Sequence, residues 1–325
     1  MNISSRLARP FKQARQPSID SSDSPVDVLR KPLIALHREA RGFSLTPTRI
    51  RSAQSGQYLS PFLGRGMTFA ESRLYQPGDD VRHMDWQVTA RTGKPYTKLF
   101  QEERERSVLV WVDFRRSMFF ATRGRFKAVQ AARMAAWISW VARFNHDRIG
   151  GLVFSEQSHR EIRPRTGDKA VLRLIQMLCS QAKNRLLAEG SAPSDPHLAL
   201  SQSLARLRRV VKPGSQLYLL SDFRNLDATG EAHLKQLARH NQIILLALHD
   251  PLEKSLPIPG LYPIRLEEGR LLLNSSDPKT RLHYEELFIQ RQEQLQNLSR
   301  KLAGDFISIS TQDHAVKTLQ TLFVS

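Results

Sequence analysis

From Ser107 onward the chain alternates continuous apolar runs with amphipathic stretches of helical length. SVLVWVD, RIGGLVFS, SQLYLLSD and NQIILLALHD read as strands buried on both faces, because no polar position interrupts them. Between them FKAVQAARMAAWISWVARFNH, GDKAVLRLIQMLCSQ, PHLALSQSLARLRRV and GEAHLKQLARH read as helices. EQSHREIRP reads as an edge strand beside RIGGLVFS, and YPIRLEEGRLLLN as an extended pair turning at EEGR. A long helix YEELFIQRQEQLQNLSRKLA, a strand DFISIS and a last helix HAVKTLQTLF complete the alternation. This pattern requires an α/β fold with a mostly parallel sheet covered by helices.

The N-terminal third has a different texture. Residues 1–25 are rich in Ser, Asp, Arg and Gln and predict a disordered basic tail, since little apolar surface is available to order it. A membrane-surface helix using Ile3, Leu7 and Phe11 is the alternative there, and Pro10 opposes it. Residues 26–106 predict a helix, VLRKPLIALHREA, followed by a small, mostly extended lobe, which leaves 107–325 as the α/β domain with its C-terminal extension.

Composition narrows the classes. One cysteine, Cys179, excludes an intrachain disulfide framework and a multi-thiolate zinc site, and points to a reducing compartment. The longest apolar runs are far shorter than the roughly 20 residues a membrane span needs, so the expectation is a cytoplasmic protein. The net charge of +18 is uneven: residues 1–112 carry 18 basic against 11 acidic residues, 113–222 carry 19 against 8, and 223–325 carry 12 of each. An acidic partner would therefore meet the first two thirds.

Ligands of open parallel sheets bind beyond the carboxyl ends of the strands. The residues there are Asp113, in DFRRSM with Arg115 and Ser117 at alternate positions, and Asp222, in SDFRN. Two carboxylates and a hydroxyl suit a hard divalent ion such as magnesium. Arg115 complicates that expectation. Its guanidinium either points away from the pocket or folds over it, and in the second case it bridges both carboxylates and disfavours metal. No tightly bound metal and a weak magnesium site are the two outcomes.

This arrangement resembles the von Willebrand factor A domain, whose metal-ion-dependent adhesion site uses Asp-x-Ser-x-Ser after the first strand, a Thr from a second loop and an Asp from a third. The resemblance assigns Asp113, Ser117 and Asp222 to a degenerate metal site, with Arg115 where the first Ser belongs and only Ser191 or Ser194 to replace the Thr. A second stretch runs through Arg73, Tyr75, Pro77, Gly78, Asp79, Asp80, Val81, Arg82, Asp85, Trp86, Thr89, Ala90 and Arg91 into YTKLFQEERERSVLVWVD. It resembles the bacterial domain of unknown function 58 (DUF58) family, over roughly residues 30–325. Such members are commonly encoded beside MoxR-type AAA+ ATPases. The resemblance therefore implies a noncatalytic interaction module or adaptor for such a machine, acting in complex assembly or maturation and needing no cofactor.

By the residues alone, Pro77 and Gly78 suit a turn that Asp79 and Asp80 hydrogen-bond. Arg73, Arg82 and Arg91 supply cations for Asp79, Asp80 and Asp85, and Trp86 an apolar anchor. A structural ion-pair network and a partner-recognition surface are both open for this string. At the strand ends, Arg115 and Arg116 are candidates to grip an acidic partner. Met118, Phe119 and Phe120 are expected to pack the following helix, and Trp137 and Trp140 the core. His83, His146, His159 and His249 show no metal-ligand spacing. Gly150 and Gly151 are expected to allow close packing, with no phosphate fingerprint around them. A nucleic-acid-binding protein is the alternative function, favoured by RFK, RPR and RLRRVVK, which fall on different elements. A metal-dependent hydrolase ranks third.

Overall fold

The computed structural model describes residues 23–45, 59–60, 67–77, 79–102, 106–187, 196–266 and 269–323. Residues 1–22 of the expected tail, together with Gly78, Ser191 and Ser194, lie outside the described residues.

Eleven strands and nine α-helices are assigned among the described residues. A small antiparallel sheet holds β1 (Leu59–Ser60), β2 (Met67–Leu74) and β3 (Tyr96–Glu102), in the order β1-β3-β2. Six further strands make the main sheet: β4 (Ser107–Asp113), β5 (Arg148–Phe154), β6 (His159–Arg165), β7 (Gln216–Ser221), β8 (Gln242–His249) and β11 (Asp305–Ser310). Their order is β11-β8-β7-β4-β5-β6, parallel throughout except for β6, the expected edge strand, which is antiparallel to β5. An antiparallel hairpin, β9 (Leu261–Leu266) with β10 (Gly269–Asn274), forms the expected extended pair.

The strands sort their side chains onto two apolar layers, as alternation in a doubly covered sheet demands. Val108, Val110, Val112 and Leu220 face α3 (Lys127–Phe144) and α4 (Asp168–Leu187). Leu109, Trp111, Leu152 and Leu219 face α5 (Pro196–Val210), α6 (Ala228–Ala238) and the end of α8 (Pro278–Lys301). Gly151 allows this approach: a Cβ there would stand 2.8 Å from the Val110 carbonyl oxygen and 2.9 Å from Leu174 of α4.

Helix α3 is apolar on nearly every side, and from Lys127 to Ala142 only Arg133 is not fully buried. Such a helix has to be enclosed. The sheet and α4 cover two sides; α1 (Arg30–Ala35), the chain after it and α9 (Ala315–Leu322) cover the rest. Trp137 and Trp140 are core residues, and their indole N–H groups donate to the carbonyls of Glu39 and Leu33, each at 3.2 Å. Val28, Leu33, Leu36, Ala40 and Leu45 thus belong to the main core, whereas 67–102 builds its own sheet, so packing divides the segment 26–106 in two. Asp23 is held as well, by Arg125 at 2.7 Å and Arg133 at 2.8 Å.

Candidate functional site

Asp113 ends β4 and Asp222 follows β7, its parallel neighbour, so both carboxylates arrive at one rim. Asp250, after β8, and Thr311, after β11, continue the row. The Asp250 carboxylate accepts from the Thr122 amide at 2.8 Å, the Thr122 hydroxyl at 2.6 Å, the Thr311 hydroxyl at 2.8 Å and the Leu252 amide at 2.9 Å. These bonds fasten the loop from β4 to α3 across the rim.

Arg115 folds over the pocket. Its Nε donates to both Asp113 oxygens at 3.1 and 3.0 Å, and its Nη2 lies 2.7 Å from Asp113 Oδ2 and 3.5 Å from Asp222 Oδ1. Its Nη1 donates to the Arg224 carbonyl at 3.0 Å, and the guanidinium carbon stands 5.9 Å from the centre of the Phe154 ring. Burial works against the charged guanidinium, but Asp113, with Asp222 and Glu156 behind it, more than compensates and raises its pKa. Only 2 % of Arg115 is exposed, so it offers no fork to a partner. That corrects its expected role as an interaction residue. Arg116 is exposed, with its amide tied to Glu156 at 2.6 Å. Met118 is buried, Phe119 packs edge-on to Phe114, and Phe120 is 39 % exposed beside them.

The residue that sequence reasoning missed is Lys127, the first residue of α3. It is fully buried, with Nζ 2.9 Å from Asp222 Oδ2 and 2.7 Å from Glu253 Oε1, on the short helix α7 (Pro251–Lys254). Arg224 closes the group, its Nη2 3.2 Å from Glu253. Asp113, Asp222 and Glu253 are thus matched by Arg115, Lys127 and Arg224. A buried ammonium at a helix N-terminus, where the backbone dipole is already positive, is unfavourable on two counts. Only its two carboxylate partners offset that. Conversely, burial by itself would raise the Asp222 carboxyl, but Lys127, Arg115 and a bond from the Ser117 hydroxyl hold it down to about 2.

The strand-end loop is bent to hold these contacts. Phe223 and Asn225 have φ of 50° and 63°, the left-handed region that costs a side-chain-bearing residue roughly 1–2 kcal/mol. Phe223 is buried and stacks on Trp111.

The residues present do not fit a divalent ion. The two Asp113 oxygens already accept from the Arg115 amide, the Arg115 guanidinium and the Ser221 hydroxyl, the last at 2.6 Å, which saturates a carboxylate. A dication bound to Asp222 would lie within about 4 Å of the Lys127 ammonium, a repulsion of about 8 kcal/mol at an effective dielectric of 20. Among the described residues, no group of three or more His, Cys, Asp or Glu side chains could hold a metal ion.

A pH dependence follows from Asp222. An aspartate in the unfolded chain titrates near 3.9. Because the folded carboxyl is depressed, its stabilising contribution is complete above about pH 4 and is lost as pH falls toward about 2. Urea midpoints at constant ionic strength should be level from about pH 7 to 5 and fall below about 4, with a shallower fall in Asp222→Asn. Parallel curves for the two proteins would contradict this.

The small lobe differs from expectation in its charges. Arg73 pairs with Asp79 at 2.7 Å, as expected. Asp80 instead caps its own 3-10 turn through the Arg82 amide at 2.9 Å. Asp85 is buried as N-cap of α2 (Trp86–Thr92), accepting from the Ser72 hydroxyl at 2.6 Å and the Val88 amide at 3.2 Å. The Ser72 bond is the main cause of its lowered pKa. The side chains of Arg82 and Arg91 are exposed and form no ion pair with Asp80 or Asp85 among the described residues. Local backbone donors had already satisfied those carboxylates. Trp86 is no anchor: it is 64 % exposed, with Leu74 and Val81 also about half exposed.

Comparison with known proteins places this geometry. An uncharacterized protein of Mycobacterium tuberculosis and one of Mycobacterium bovis are each 29 % identical over 227 residues, 70 % of this chain and 69 % of theirs. Among solved structures, the conserved hypothetical protein BatB from Bacteroides thetaiotaomicron matches with a TM-score of 0.44 and 15 % identity, covering 66 % of this chain and 96 % of that one. A von Willebrand factor type A structure from Catenulispora acidiphila matches with a TM-score of 0.40 and 9 % identity, over 70 % of this chain and 43 % of that one. The fold itself is α/β, with a mostly parallel six-stranded sheet flanked by helices. The family model described as "Protein of unknown function DUF58" matches residues 71–294, well over half of the sequence, and the chain belongs to that family.

Proposed function

We propose that this protein is a noncatalytic interaction module whose small lobe docks a partner protein, with a MoxR-type AAA+ ATPase as the partner to test first. The observation that carries the reading is Trp86. A tryptophan two-thirds exposed at the start of a helix, with the exposed Arg82 and Arg91 close by in the chain, has the composition of an interface hot spot. Leu74 and Asp85 both flank Tyr96, Leu74 by strand pairing and Asp85 by its backbone amide, which donates a hydrogen bond of 2.7 Å to the Tyr96 carbonyl. The folding of the segment therefore brings the exposed Leu74 and Trp86 to the same end of the lobe.

The strand-end carboxylates support binding over catalysis, because Asp113 and Asp222 are each engaged by a cation of the chain and Asp250 by hydroxyl and amide donors. No described helix is long and apolar enough to cross a membrane. We propose a cytoplasmic location, because a single cysteine leaves the chain without the disulfide support typical of oxidising compartments.

The test is binding of the purified ATPase to the full chain after nuclease treatment, across a salt series. Trp86→Ala should weaken it by about 2 kcal/mol or more, roughly thirtyfold, and Arg82→Ala by less. Replacing Arg208 and Arg209 on α5 should change only the salt-sensitive part. Equal losses for the two regions, erased by salt, would assign association to general charge. Recovery only through nucleic acid would sink the reading.

A further inference from the structure

We propose that Lys127 and Arg115 take the electrostatic place of a divalent ion, so that the strand-end site is closed to metal and held in shape by the chain's own charges. A metal at such a site performs two tasks: it neutralises converging carboxylates and it fixes the loops that carry them. Both tasks are already discharged here. The Lys127 ammonium joins the end of β7 to α7 by contacting Asp222 and Glu253, and the Arg115 guanidinium joins the end of β4 to the loop after β7 by contacting Asp113 and the Arg224 carbonyl. Asp250 fixes the third strand end without any cation, through Thr122 and Thr311.

The position of Lys127 adds an independent reason. The start of α3 has no solvent to receive a lysine head group, and the helix dipole opposes it there. Its carboxylate partners are what make that residue tolerable at that place. Ser117, the remaining hydroxyl of the adhesion-type loop, adds to the lowering of the Asp222 carboxyl after Lys127 and Arg115. The inference is independent of the proposed partner. It requires only that the six charged groups keep the pairing seen in the fold.

Manganese is the probe, because its uptake is read directly by electron paramagnetic resonance of the free ion. The full native chain should take up no saturable manganese at millimolar concentration, and its melting temperature should be the same in manganese and in chelator. Lys127→Ala uncovers Asp222 and Glu253, and Arg115→Ser uncovers Asp113 while restoring a hydroxyl. At least one of the two should bind manganese about tenfold or more tighter than the native chain, and gain melting temperature from it. If Lys127→Ala does not fold, Arg115→Ser and the native chain decide. Stoichiometric uptake by the native chain that Asp113→Asn abolishes would overturn the proposal. So would failure of every folded variant to gain manganese.

Discussion

Replacing Lys127 with methionine should destabilise the protein by about 3–5 kcal/mol, measured by urea unfolding at pH 7. The methionine fills most of the volume of the lysine stem, so the loss is not a cavity effect. It comes from Asp222 and Glu253, which lose their shared ammonium at 2.9 and 2.7 Å in a place that water does not reach. Exposed ion pairs do not behave this way. The i,i+4 pair of Lys235 and Glu231, 3.6 Å apart and about half exposed, should contribute under 1 kcal/mol, so Lys235→Met serves as the matched control. Similar losses for the two lysines would show that the Asp222 cluster is hydrated and of no special weight.

Gly124→Ala should be comparably severe, at about 3 kcal/mol or more, from steric causes. Gly124 lies in the loop between β4 and α3 with φ of +78°, where a side-chain-bearing residue costs about 1–2 kcal/mol. A Cβ there would also stand 2.1 Å from the Thr311 carbonyl oxygen, and backbone on both sides leaves nothing flexible to yield. Overpacking of that kind adds about 1–3 kcal/mol. Gly167 separates the two contributions, because it has φ of +86° and nothing within 4 Å of a new Cβ. Gly167→Ala should cost only the first. Equal losses at both glycines would mean that the loop and Thr311 move apart freely, and that the rim is not fastened across β11.

Much of this architecture was legible in the sequence, for reasons that mark the limit of such reading. Uninterrupted apolar runs of strand length, alternating with amphipathic helices, read as doubly covered strands, so the parallel sheet followed, and with it the meeting of Asp113 and Asp222 at one rim. EQSHREIRP reads as an edge because its polar positions could not survive in the middle, and β6 is half exposed along its length. The choice left open for Arg115 turns on which way one side chain rotates, which periodicity does not encode. Lys127 was missed because a lysine at the head of a helix normally reads as a solvated end. The available signal lay in the rest of α3, where AVQAARMAAWISWVA leaves no polar face, so its first residue has no route to water.

The lobe shows the complementary failure. Matching Arg82 and Arg91 to Asp80 and Asp85 by proximity in sequence ignored the nearer donors, the amides of Arg82 and Val88 and the Ser72 hydroxyl. Short aspartates at turn and helix starts are satisfied locally before they reach for arginines. Once they are, the arginines and Trp86 are left outside. Likewise VLRKPLIALHREA was legible as a helix only in part, since α1 stops at Ala35 and residues 36–42 form turns, and its place in the main core was not legible. Its burial depends on Trp137 and Trp140, about a hundred residues away, donating to its carbonyls.

Asp113 and Asp222 are held at the strand ends by cations of the chain itself. A double-mutant cycle on Lys127→Met and Asp222→Asn measures this most directly, by unfolding free energies at pH 7. Removing both partners takes away the unpaired buried charge that either single change leaves behind. The double variant should therefore be more stable than the sum of the two losses predicts, by about 2–3 kcal/mol. Losses that add to within about 0.5 kcal/mol would show that the ammonium and the carboxylate do not depend on each other, and would contradict the claim.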